Sequence, residues 1–478
     1  MPATLSAPLA HSKFTLETAG VAGFFGGEEA ISAMATVHLY KGRRWLGWSN
    51  SPGSYTIAKR FGRMANSRFW NGLFPGPNDS PAVSFGLDGE QGPRFIAAFS
   101  GTTLQTQHLG YLTMKRSREV KANEIKGRIT SPFDVSYLAM KHVHHELLVQ
   151  PLPLKRGIVY AFIPIISSVV TCIMCALVYD WVSFSMILVG IISGGCASLV
   201  IGNGKLVVET VRQPAPGAPP GHGILIEEGG VVVIKGEERD VNIITKGHFD
   251  LKTDSKPVDE EKGDVRRYHA IGLCSLVLLI QFLAQLLLVP QGTLFGQIMF
   301  LISLGVSWGY NSYLSSLEKE KIQADILFQA LGNPEILRFR TGTRTTMAVL
   351  VCLLLFHGVE PSSPEEDRAN RVRILRECIP NETRVWQRWK EKVVQQLMSI
   401  DEESLSLPYL EEDDVDLTLT EGERRLLRHL LGDARTVFEG HFDLRKRLFP
   451  GYSDHDELSN RHQLDASDEY ISFRLEEI

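Results

Sequence analysis

Short-range alternation of polar and apolar residues runs through most of this chain, but two blocks break it. From Gly157 to Gly204 the only formal charge is Asp180, and from Tyr268 to Leu317 there is none. A helix crossing a hydrocarbon core of roughly 30 Å needs about 20 apolar residues, so each block is long enough to cross twice. The cuts fall at Gly157 to Tyr179, Trp181 to Ile201, Tyr268 to Val289 and Leu294 to Tyr313. Asp180 marks the first turn and Pro290-Gln291-Gly292 the second. The expected fold is therefore a polytopic α-helical membrane protein, with four transmembrane helices in two hairpins and a cytosolic α+β module.

Outside these blocks the pattern shortens. Thr36 to Tyr40, Ala82 to Phe85, Arg94 to Ser100 and His108 to Thr113 read as strands between Gly, Pro, Asn and Asp breaks. Tyr55 to Trp70 and Asp134 to Leu148 read as helices. Between the hairpins, Lys205 to Val211, Ile224 to Glu227, Val231 to Lys235 and Val241 to Thr245 read as strands, the middle two joined by a Gly229-Gly230 turn. Two or three strands alone are marginal in water, so this loop is expected to pair with strands before the first hairpin. Thr345 to His357 is apolar but would reach only about 20 Å as a helix, so it is expected to lie buried in the module as a strand or a short helix, with a fifth span as the alternative. Helical spacing returns after the fourth span, ending at Gly332 and Pro334, and again at Val372 to Cys378 and Arg384 to Met398. Thr420 with Glu423 forms a capping box before Leu426, Leu427, Leu430 and Leu431. The domains expected are a mobile segment 1–33, a β-rich region 34–156 with a juxtamembrane helix, hairpins at 157–204 and 268–313, a loop 205–267, a helix and buried segment 314–359, and an acidic helical tail 360–478.

Charge adds orientation. The net −5 conceals a basic front, where residues 1–156 carry 18 basic and 10 acidic side chains, and an acidic tail, where 360–478 carry 17 and 28. Lys155, Arg156, Lys205, Arg212, Lys262, Arg266, Arg267, Lys319 and Lys321 all flank the same ends of the spans. The positive-inside rule then puts the loop and both termini in the cytosol. The sequons Asn78-Asp-Ser80 and Asn381-Glu-Thr383 are accordingly expected to stay unglycosylated.

Little catalytic chemistry is legible. Cys172, Cys175, Cys196 and Cys274 lie in spans and form no disulfide framework. His142 and His145 share a helical face without a third ligand. Gly202-Asn-Gly-Lys205 lacks the Ser or Thr of a phosphate loop, and Gly451-Tyr-Ser-Asp-His455 lacks the closing Gly of a nucleophile elbow. No catalytic, cofactor or metal site is expected. The residues singled out are structural: Gly190 with Gly194 and Gly305 with Gly309 give Gly-x-x-x-Gly faces, and Gln281 with Gln285 lie one turn apart for interhelical hydrogen bonds.

Leu331-Gly-Asn-Pro334, Gly342-Thr-Arg-Thr345 and Ile379-Pro-Asn-Glu-Thr-Arg-Val-Trp386 resemble recurring phrases of an uncharacterised fungal integral membrane protein family. The resemblance covers about 317–395 and implies membrane integration but no activity. The function expected is a non-enzymatic membrane anchor or scaffold presenting its module to a cytosolic protein, with a channel or transporter and a membrane-bound enzyme as the alternatives. Expected partners are the lipid bilayer, anionic lipid at the basic, aromatic N-terminal region, a cytosolic protein and a second copy of the chain. Nucleic acid is not among them.

Overall fold

A computed structural model describes residues 25–65, 67–77, 80–141, 149–153, 156–210, 214–253, 260–359, 363–399 and 419–448. Three helices are long and apolar enough to cross a membrane: Gly157–Leu177, Trp181–Gly202 and Tyr268–Gln291. Their outward faces carry Val169, Val170, Ile173, Leu273, Ile280 and Leu287, all exposed. Tyr160 and Tyr313 are exposed at one end, Tyr179 and Trp181 at the other. About 19 residues separate Tyr160 from Tyr179, or ~28 Å of helix, so these rings stand where aromatic belts meet the two membrane surfaces. The helix Leu294–Ser315 has 22 residues but is more polar, with Gln297, Ser303, Ser307 and Asn311 buried along its inward side.

The lone charge of the first hairpin ties the two hairpins together. Asp180 is buried and caps the helix Trp181–Ile201, accepting from Ser183 N and Oγ at 3.0 Å each. It also accepts from Thr293 N at 2.8 Å and Thr293 Oγ1 at 2.6 Å, and Thr293 itself caps Leu294–Ser315. Two helix N-termini thus converge on one carboxylate, which suits a buried anion without a cation.

On the opposite side a seven-stranded mixed sheet is assembled from all three polar regions. Its strands are β1 (Arg94–Ala97), β2 (Thr103–Gln105), β3 (Ala122–Glu124), β4 (Phe133–Ala139), β6 (Gly223–Glu227), β7 (Gly230–Lys235) and β9 (Ile336–Thr341), in the order β2-β1-β6-β7-β4-β9-β3. β1 pairs antiparallel with β6, and β4 parallel with β7, which meets the expectation that the loop pairs with strands before the first hairpin. A separate ribbon, β5 (Gly204–Glu209) with β8 (His248–Thr253), continues the bundle outward.

Both faces of the larger sheet are covered, so β7 reads as an unbroken Val231-Val-Val-Ile234 run rather than an alternation. Val231 and Val233 join Ile96, Val135, Tyr137, Ile224 and Phe339 beneath the helix Arg344–Phe356, which is buried along its length from Thr345 to Phe356. Of the buried strand and the short buried helix expected there, the structure has the helix. Helices Pro364–Cys378, Arg384–Met398 and Glu421–Leu448 complete its cover; Trp389 is fully buried and donates from Nε1 to Leu430 O at 2.9 Å. Buried Asp433 accepts from Arg128 and from Thr345 Oγ1, fastening the last helix to the start of the buried one. The Thr420–Glu423 capping box is present. Val232, Leu225 and Leu138, on the other sheet face, belong to the core shared with the membrane helices.

Several short elements differ from expectation. Thr36 to Tyr40, His108 to Thr113 and Val241 to Thr245 lie in the helices Gly27–Leu39, His108–Glu119 and Glu238–Lys246, and Ala82 to Phe85 falls on the helical turn Pro81–Ser84. Each is a window of four to six residues in which a β-branched or aromatic run cannot reveal its period. Only over a longer stretch does the helical spacing emerge, as in the fully buried pair Leu109 and Leu112 or Val241 with Ile244. The reverse error is Asp134 to Leu148: residues 133–139 form β4 at the middle of the sheet. His142 and His145, the acidic stretch Asp401 to Asp416, Asn78, residues 1–24 and those beyond 448 lie outside the described residues. Residues 27–33 of the expected mobile segment are helical.

One half-buried pair in the module gives a pH test. Burial, together with nearby Lys235, pushes the His222 imidazole down to about 4, and burial pushes Lys235 down to about 8. The neutral His222 ring accepts from Gly236 N at 3.1 Å. Because the folded value lies below the ordinary 6.5, this contribution is complete above about pH 6.5 and is lost as pH falls toward 4. Replacing His222→Gln should flatten the stability curve across that window. Thermal melts at a series of pH values check it, and an unaltered acid slope would contradict it.

Candidate functional site

The residues between the helices Gly27–Leu39 and Ser54–Met64 are the least expected part of the molecule. The sequence reading assigns 34–156 wholly to the module; the structure instead sends residues 44–53 into the helix bundle. Arg44 Cβ lies by Gly202, Trp48 by Gly195, the Ser49 carbonyl by Gly194 and Asn50 by Gly190. The chain therefore descends one helix from its end to its midpoint. It turns at Ser51-Pro52-Gly53 and returns as the helix Ser54–Met64 along the third span. Tyr55 meets Phe282, Ser275 Oγ donates to Ala58 O at 2.6 Å, and Trp70 reaches Gly272.

Two features of local sequence permit this. Gly53 has φ +77°, and a Cβ there would meet Gly27 Cα at 2.3 Å, so the two backbones touch. The returning helix buries Ile57, Ala58, Phe61, Gly62 and Met64 on one side, the spacing of an amphipathic helix. Irregular backbone at membrane depth is tolerated only where protein surrounds it, and residues 50, 52 and 53 are buried.

At the turn a polar cluster sits halfway along the surrounding helices. Fully buried Asn50 donates from Nδ2 to Ser303 Oγ at 2.7 Å, and its backbone N–H donates to Ser168 Oγ at 3.0 Å. Gln285 donates to Met186 O and accepts from Gln281, both at 3.3 Å. Asn50 Oδ1, Gln281 Oε1 and Ser307 Oγ are buried without hydrogen-bond partners among the described residues.

The residues singled out from sequence therefore divide. Gln281 and Gln285 are buried and bonded to each other. Gly190 and Gly194 lie at a close approach, but the partner is the inserted segment rather than a bare helix face: a Cβ would meet Asn50 Oδ1 at 2.0 Å and Ser49 O at 2.7 Å. A Cβ at Gly305 or Gly309 would meet nothing within 4 Å and both face outward, so they pack against no helix among the described residues. Asn50, Ser168 and Ser303 escaped the sequence reading. The signal available was weak: one serine halfway along each of two apolar segments, and a Trp-Leu-Gly-Trp-Ser-Asn-Ser-Pro-Gly run far too short to span.

A second feature lies in the module. A cavity of about 660 Å³ opens at the sheet end, with Gln91, Arg94, Glu227, Glu228, Arg344 and Glu377 in its wall. Arg94 pairs with Glu377 at 2.9 Å, and Arg344 Nε donates to Cys378 O at 2.7 Å. Burial pushes the adjoining Cys378 thiol up to about 12, leaving it protonated and a poor nucleophile. The wall offers charges of both signs for binding. No family model, curated protein or solved structure matches this chain.

Proposed function

We propose that the protein is a non-enzymatic integral membrane scaffold. In this reading all four helices span as two hairpins, and the module with both termini faces the cytosol, where its mixed-charge cavity takes a polypeptide segment of a partner protein. The observation that carries it is construction: one sheet draws strands from before, between and after the hairpins, its one face shares a core with the membrane helices, and the 660 Å³ cavity opens at its end. A cavity of that size is in the range of a ligand or peptide site. Arg60 and Arg68, with exposed Trp45 and Phe69, provide contacts for anionic headgroups, and the open Gly305 and Gly309 face provides room for a second copy.

A second reading, a channel or transporter, is favoured by the unsatisfied oxygens of Asn50 and Gln281 at mid-depth. Purified protein in liposomes separates the two. The scaffold reading expects no flux, together with a native partner that co-purifies with wild type and is lost on Gln91→Arg with Glu228→Arg. Flux abolished by Gln281→Ala or Gln285→Ala would defeat it. Truncating the tail at 360 is a poor test, since the helices beyond it cover Arg344–Phe356. Topology has its own check: Asn381 should remain unglycosylated, and a glycan there would place the tail on the wrong side.

A further inference from the structure

Arg43 lies where a cation is costly. It is only 6% exposed, held between the helix Gly27–Leu39, the second span and Leu294–Ser315, with its guanidinium 5.5 Å from the Tyr310 ring centre. Its Nε and Nη1 are buried and make no hydrogen bond among the described residues, and it forms no salt bridge there. Stacking on one ring does not offset the loss of water from a buried charge, which ordinarily calls for a paired anion.

Arg43 is among the residues lining a cavity of about 40 Å³, and the other polar residues of its wall include Ser49, Ser51, Ser198, Tyr310 and Asn311. No carboxylate contributes. A cavity needs only about 10–15 Å³ by this measure to hold one water, so there is room for a monatomic anion with a water or two, and not for a bulky organic acid. Tyr310 Oη donates to Ile158 O and Asn311 Nδ2 to Ser51 Oγ, so the donors offered to a small anion beside Arg43 are the serine hydroxyls and the second Asn311 amide proton.

We propose that this cavity binds a small inorganic anion of chloride's size, which completes the charge of Arg43 and locks the inserted segment 43–53 between the helices. Anionic lipid phosphate shares the negative charge, and the test separates the two. The full chain in a neutral detergent is melted at constant ionic strength while sodium gluconate is replaced by sodium chloride. The expected result is a Tm that rises by a few degrees and saturates with chloride, because only the folded cavity binds it. Asn311→Asp places a carboxylate in the wall, so it should fold and lose the chloride response. Arg43→Gln should lose it as well, and if that variant does not fold, Asn311→Asp carries the test alone. A wild-type Tm indifferent to chloride, or a response that persists unchanged in Asn311→Asp, overturns the proposal. So does stabilisation by phosphatidylglycerol with none by chloride, which would make the occupant a headgroup.

Discussion

Replacing Asp180→Ala should produce one of the largest losses of stability of any single polar substitution in the bundle, about 3–5 kcal/mol. The carboxylate is the shared acceptor for Ser183 and Thr293, so its removal strands two backbone N–H groups and two hydroxyls, those of Ser183 at a buried position. Hydrogen bonds to a charged group are worth about 1.5–3 kcal/mol each, and leaving their donors unpaired adds a desolvation cost. The favourable field of two helix N-termini is lost at the same time. Asp180→Asn keeps one acceptor oxygen and should fall between. Thermal unfolding in detergent reads the effect, and a disulfide-trapping pair across the two turns reads whether the hairpins separate. A melting profile equal to wild type would remove the tie from the account of this fold.

The glycine pairs should respond in opposite ways to the same substitution. Gly194→Leu drives a side chain into the Ser49 carbonyl, and Gly190→Leu into Asn50 Oδ1, neither of which can retreat without displacing the inserted segment. Overpacking typically costs about 1–3 kcal/mol, and here it also breaks the Asn50 bonds to Ser168 and Ser303. Gly305→Leu and Gly309→Leu meet nothing within 4 Å and should leave the melting temperature of monomeric protein close to wild type. If they change anything, it should be self-association, measured by analytical ultracentrifugation. Equal destabilisation by both pairs would show that the outward assignment of the Gly305 face is wrong.

The long-period parts of the fold were open to sequence reasoning, and the short-period parts were not. Some twenty residues without a charge mark a helix such as Trp181–Gly202 by length alone, and Gly229-Gly230 between Ile224 to Glu227 and Val231 to Lys235 marks a hairpin through its turn chemistry. Thr36 to Tyr40 and Val241 to Thr245 misled because five residues sample barely more than one helical turn. The inserted segment was hidden for another reason. Its polar groups bond to residues more than a hundred positions away, as the Asn50 backbone N–H does to Ser168 and its Nδ2 to Ser303. Such partners leave no local pattern. Arg43 looked like one more basic residue of a basic region, and only burial distinguishes it from Arg44.

The interleaved sheet also sets an order of events during synthesis. β4 leaves the ribosome long before its two neighbours: β7 follows the first hairpin by some 30 residues, and β9 comes only after the second hairpin. At roughly 5–20 residues per second, the ~200 residues between β4 and β9 take about 10–40 s to appear. Both edges of β4 stay unpaired until β7 appears and one of them until β9 does, while the apolar face destined for Arg344–Phe356 remains uncovered. A chain built this way depends on a holding factor during its own production, and a ribosome stalled between the hairpins should leave a nascent polypeptide that binds chaperone.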